Sequence, residues 1–314
     1  MTPRIVSLLP SATEIIAALG FRGSLVGRSH ECDFPAGVED LPVLTEPKLD
    51  PRGSTREIHR QMEALLSEDI SVYRVDAERL RLLAPTHIVT QVQCDVCAVS
   101  LADVEEALSG FSADGAPKVV ALNAGNLAGV LSDIQHVAAA LEAEPAGAAL
   151  VQRLSTRMES VAAASACLPR RPRVAAIEWL APAMAAGNWI PELISMAGGE
   201  DVLGEAGRHS AWLAPEALSQ ANPDVVVVFP CGFSLSRLEA EAELLLEIPG
   251  LAGLSAVRQG AVYLAEGNQF FNRPGPRLAE SLEILAEILH PHAFAFGHEG
   301  RAWKRWSPVS SGRS

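Results

Sequence analysis

Short apolar runs alternate with segments of helical period along almost the whole chain, and this rhythm restricts it to βα units that build parallel sheets. An apolar run over 4–9 stops at Pro10. Ser11 then precedes ATEIIAALG with Glu14 three residues on, a spacing that predicts a capping box and a helix closed by Gly20. A strand over 25–28 opens into a loop rich in Pro, Gly and Asp, SHECDFPAGVEDLPVLTEPKLDPRG. Helix 54–66 follows, then a strand in SVYRV, a helix in AERLRLLA begun near Asp76, and a strand in THIVTQ ending at Gln91. Helix 101–108, strand 118–122 and helix 127–141 complete the series.

Residues 145–167 carry apolar side chains at Leu150, Leu154, Met158 and Val161 and read as one long helix, stopped by Pro169 and Pro172. A second βα series begins there, with strands in RVAAIEW, 225–229 and 261–265 and helices over 190–196, 235–246 and 277–289. The expected organisation is an N-terminal α/β lobe over 1–143, a linker helix over 144–168, a C-terminal α/β lobe over 169–290, and an irregular tail over 291–314. Both lobes are expected to be Rossmann-like with parallel sheets, with a ligand cleft between them at the carboxyl ends of the strands. In RPGPRL, Pro276 suits a first helical position and Arg273 could reach an anionic ligand group.

With 314 residues, 48% of them hydrophobic, the chain can bury two cores. A formal net charge of −13 argues against nucleic acid or an anionic membrane surface as partner. No apolar stretch approaches the roughly 20 residues of a membrane helix, and MTPRIVSLLP lacks the regions of a secretory leader. If Met1 is the natural start, a cytoplasmic protein is expected, with the periplasm as the alternative. The five cysteines, odd in number and irregular in spacing, do not suggest a disulfide framework.

RIVSLLPSATEIIAALG, AERLRLLAPTHIVTQ, AAGNWIPELISMAGGEDVL, APEALSQANPDVVVV and FFNRPGPRLAESLEIL, in that order and spacing, resemble the solute-binding proteins of ABC importers that bind cobalamin, heme and ferric siderophores. The similarity spans about residues 4 to 290, and the cobalamin-binding branch is the nearest match. The resemblance implies non-catalytic capture of a small molecule, a corrinoid foremost, with no required cofactor and an ABC permease as partner. It places docking glutamates at Glu78 and Glu216, both of which are also the first-turn carboxylates that helix starts favour.

The strand-end loops carry the candidate ligand-binding residues. These are Ser29, His30, Glu31 and Cys32 after the second strand, and Gln93 and Cys94 after the strand ending at Gln91. In the second lobe they are Trp179, Asn188 and Trp189, then Cys231 and Phe233, then Gln269, Phe270, Phe271 and Arg273. Aromatic faces and amide donors suit a flat corrin or porphyrin, although Trp189 and Phe271 read equally well as packing residues. Cys94 and Cys97 form a C-x-x-C pair that, with Cys32, could hold zinc or cobalt. A redox pair, two small buried side chains, or thiolate ligation of a corrinoid cobalt are the other readings. No nucleophile, base and orienter come together in the sequence, so the reading as an enzyme or metallochaperone rests on the missing leader, these thiols and the acidic pair Glu31 and Asp33.

Overall fold

A computed structural model describes residues 2–68, 70–92, 99–111 and 115–308. The first lobe contains β1 (Ile5–Ser7), α1 (Pro10–Ala18), β2 (Leu25–Arg28), β3 (Thr45–Pro47), α2 (Thr55–Ser67), β4 (Tyr73–Val75), α3 (Ala77–Leu83), β5 (His87–Gln91), α4 (Leu101–Leu108), β6 (Lys118–Leu122) and α5 (Leu127–Ala140). Four strands form a parallel sheet in the order β2-β1-β5-β6, and β3 and β4 pair antiparallel beside it. Helix α6 (Glu144–Ala166) leads to the second lobe.

There, β7 (Arg173–Leu180), β8 (Ala183–Ala185), α7 (Ile190–Met196), β9 (Glu200–Asp201), β10 (Ala211–Trp212), α8 (Ala217–Ala221), β11 (Val225–Val228), α9 (Leu235–Glu241), α10 (Ser255–Arg258), β12 (Val262–Ala265), α11 (Leu278–Leu289) and β13 (Trp303–Trp306) follow in turn. Their sheet runs β10-β8-β7-β11-β12-β13, with β9 also on β7. The expectation of two parallel sheets is corrected here, because β8, β10 and β13 run antiparallel to their neighbours.

The tail expected to be irregular supplies β13, in register with β12 from Trp303↔Ala265 to Trp306↔Val262. Buried charges tie it down. Trp303 donates its indole N–H to Glu287 at 2.8 Å, and His298 Nε2 lies 2.9 Å from Glu283, which also accepts two hydrogen bonds from Arg157 of α6.

Helix α6 turns Leu150, Leu154, Met158 and Val161 into the interior against α5, α7 and α11. Each buried side chain contributes about 1.5–3 kcal/mol, so this single connection is held along much of its length. Helices α2, α3 and α4 begin as their sequences predict, capped by Ser54, Asp76 and Ser100. Helix α1 does not: Leu9 is its N-cap in extended conformation, Pro10 opens the first turn, and no side chain caps it. Ser11 and Glu14 are instead buried. Pro276 likewise lies before helix α11, whose cap is Arg277.

Candidate functional site

The loop after β2 turns inward. Ser29 is buried, its hydroxyl accepting from Thr45 Oγ1 at 3.1 Å, and His30 Nδ1 lies 2.7 Å from the same Thr45 oxygen with its ring tilted against Tyr73. Burial, helped by Arg28, pushes the His30 imidazole down to about 4, so it is neutral at physiological pH. Cys32 is buried and accepts a hydrogen bond from Thr13 Oγ1 at 3.0 Å, and burial pushes its thiol up to about 11.

Across the cleft, Arg273 closes the floor. Its guanidinium donates to Asp33 at 2.6 and 3.1 Å, to Glu14 at 3.0 Å and to Asn268 at 3.1 Å, joining α1 and the β2 loop of one lobe to the β12–α11 loop of the other. Burial works against the Arg273 charge, but Asp33 and Glu14 outweigh it and hold the arginine ionised. Glu14 is only 3% exposed and its Oε2 has no hydrogen-bond partner. Desolvation exceeds the attraction of Arg273 and Arg277, and raises this carboxyl to about 7. Burial raises Glu31, on the same loop, to about 7 as well. Arg273 is thus held by protein carboxylates in this structure.

The next residues complete this wall. Arg277 lies between the rings of Phe34 and Phe270, 4.3 and 4.4 Å from their centroids, and donates to Gln269 Oε1 at 3.2 Å. Gly267 makes the tight turn possible, since a Cβ there would strike the carbonyl oxygens of Phe229 and Pro230. Phe271 is fully buried and stacks on Phe229 at 4.4 Å, while Trp189 donates its indole N–H to the Phe271 carbonyl at 2.9 Å. Both side chains are buried and packed in this structure.

At the ends of β7 and β11 the surface is aromatic. Trp179, half-buried, meets Phe233 edge to face at 5.8 Å, and the Arg237 guanidinium lies 3.6 Å over the Phe233 ring. The Trp179 indole N–H is buried without a hydrogen-bond partner. Cys231 is exposed beside them, its backbone N–H bonded to the Glu178 carbonyl. Phe233 itself is 1% exposed and backs the ledge from below. Asn188 adopts a left-handed conformation, φ 52°, and its N–H donates to the Arg208 carbonyl at 2.6 Å, so its backbone belongs to the β8–α7 turn.

A second contact between the lobes escaped the sequence reading. Helix α2 lies over the second lobe, where Thr55 N–H donates to Glu241, Arg56 pairs with Glu247 at 2.6 Å, Arg237 donates to the Gly53 carbonyl, and His59 meets Trp212 edge to face at 5.0 Å. Between α2 and that lobe is a cavity of about 420 Å³. The polar face of an amphipathic helix gives no signal of such a role.

The comparisons with known proteins agree with this architecture. The periplasmic binding protein family matches residues 5–268. The chain belongs to that family. No curated protein matches the sequence. Among solved structures it is similar to the periplasmic heme-binding protein RhuT of Roseiflexus sp. RS-1, at 24% identity and a TM-score of 0.69 over 93% of this chain and 100% of that one. It is also similar to a periplasmic heme-binding protein of Pseudomonas aeruginosa (21%, TM-score 0.69, 93% and 94% covered) and to the vitamin B12-binding protein BtuF of Vibrio cholerae (18%, TM-score 0.64, 91% and 96% covered).

As a periplasmic binding protein the chain is a non-catalytic carrier that takes up a small solute for an ABC permease. The family supports the periplasmic alternative and gives none to the cytoplasmic expectation. No helix among the described residues is long and apolar enough to cross a membrane. Gln93, Cys94 and Cys97 lie outside the described residues, and no cluster of metal-ligating side chains occurs among those described.

Proposed function

We propose that the solute is a flat tetrapyrrole-type macrocycle, foremost a corrinoid such as cobalamin, held at the strand ends against Trp179. The observation that carries this reading is the Trp179 ledge. A half-buried indole stands edge-on to Phe233, itself covered by Arg237, and carries a buried N–H with no partner. An aromatic surface with a spare donor suits a macrocycle edged by amides or carboxylates, and similar structures named for vitamin B12 and heme lend it support. Titration with hydroxocobalamin, cobinamide and heme, read by tryptophan fluorescence and the ligand's absorption band, tests it. Saturable one-to-one binding of a macrocycle is expected, with Trp179→Ala weakening it by about 1–3 kcal/mol. Binding that is unchanged in Trp179→Ala removes the ledge, and no binding by any of the three removes tetrapyrroles.

Docking on the permease is assigned to Glu78 and Glu216, one exposed carboxylate on each lobe, at the starts of α3 and α8. Charge reversal at either should reduce stimulation of the permease ATPase while leaving solute affinity unchanged.

A second reading, zinc or cobalt at Cys94 and Cys97 with Cys32, is motivated by the C-x-x-C spacing and by the buried Cys32 thiol at another strand end. The raised Cys32 thiol requires a metal to displace its proton, so affinity would rise with pH. Stoichiometric metal in tagless protein, lost in Cys94→Ser, would establish it, and metal-free protein would end it.

A further inference from the structure

We propose that the cavity between α2 and the second lobe is a separate binding site for a small amphipathic carboxylate, such as a medium-chain fatty acid. Its volume, about 420 Å³, falls within the range of small-molecule sites. The lining has two chemistries on opposite sides. Leu180, Leu213, Leu218 and Ile248 of the second lobe give it an apolar floor, whereas Arg56, His59 and Arg60 of α2 give it a basic roof.

The roof holds unused hydrogen-bonding capacity. His59 Nδ1 is buried with no partner, its Nε2 facing Glu63 at 3.2 Å, and the Arg60 side chain, exposed at the rim, enters no ion pair among the described residues. Arg56 pairs with Glu247, yet that pair is more than half exposed and is easily rearranged around a second carboxylate. Three potential donors face an apolar hollow, and the carboxylates beside them, Glu247 on Arg56 and Glu63 on His59, leave Arg60 unpaired among the described residues. Such a surface selects a ligand with an acidic head and an apolar body, because either part alone leaves one side of the cavity unmatched.

The site shares no lining residue with the Trp179 ledge and does not rest on the tetrapyrrole reading. Trp212, in edge contact with His59 at the cavity roof, is a built-in reporter. Decanoate, below its micellar concentration, should bind the intact protein one-to-one by calorimetry and change tryptophan fluorescence, a change that Trp212→Phe removes. Decanol should bind at least about tenfold more weakly, and Arg60→Gln should weaken decanoate by about three- to tenfold. Arg60 is exposed, so that variant is expected to fold, and Ala214→Trp provides an independent block of the cavity. Saturating hydroxocobalamin or heme should leave decanoate affinity unchanged. The proposal is overturned by absence of decanoate binding, by equal affinity for decanol, by indifference to both Arg60→Gln and Ala214→Trp, or by competition with the macrocycle.

Discussion

The lobes meet in two places of opposite character. At the floor of the cleft, Arg273 is 4% exposed and bonds at once to Glu14, Asp33 and Asn268. At the α2 seam, the Arg56–Glu247 pair is exposed to 60% and 54%, and a cavity separates much of the helix from the opposite lobe. Charges are paired in both, but only at the floor is a pair, Arg273 with Glu14, removed from water, where breaking one partner leaves another stranded. The floor is therefore the firm joint, or fulcrum, between the lobes, and the seam is the contact that costs less to break.

The largest test of that contrast is Arg273→Met. It leaves Glu14 and Asp33 without their cation, and it should lower unfolding free energy by about 3–5 kcal/mol, measured by urea denaturation. Adding Glu14→Gln should restore part of the loss, because the stranded carboxylate is the source of the cost. An effect below about 1 kcal/mol would make the floor no different from a surface pair.

A smaller effect appears with pH. The Glu14 carboxyl stands at about 7 in the folded protein against 4.5 for its ordinary value, so between these limits the folded state binds a proton that the unfolded chain has lost. Its contribution is then fully present below the ordinary value and is lost as pH rises through about 7. Stability of the parent should fall over this window, and Glu14→Gln should flatten the slope in a series of denaturation curves from about pH 5 to about pH 8. An unchanged slope would show that Glu14 keeps its charge throughout and that Arg273 fully compensates its burial.

The contrast also marks where the sequence is informative. Local patterns announce local structure: α4, β6 and α7 span the residues their periods predict, and Ser54 and Asp76 cap the helices that follow them. Glu14 was misread because a Ser followed three residues later by Glu is indistinguishable from a capping box, while its actual partner, Arg273, lies 259 positions away. Similarly, α2 has only Thr55 fully buried, so nothing in its period reveals that Arg56, His59 and Arg60 face the other lobe. The final strand is four residues long, too short for a clear alternation, and its place is set by pairing with β12 and by Glu287 beneath Trp303. Of the candidate site, the positions of Trp179 and Phe233 at strand ends were legible because they follow from the strand pattern, whereas the fulcrum depends on contacts between distant segments.

The smallest expected effect belongs to the seam. Arg56→Gln removes an ion pair whose members remain hydrated on either side, so little desolvation is recovered or lost, and the cost should be about 0.2–1 kcal/mol. Raising the salt concentration should shrink it further, since an exposed pair is screened within a Debye length of about 10 Å at 0.1 M ionic strength. A double-mutant cycle with Glu247→Gln isolates the pair from the packing of the Arg56 stem. A salt-insensitive coupling as large as that of Arg273 would mean that the seam is sealed like the floor.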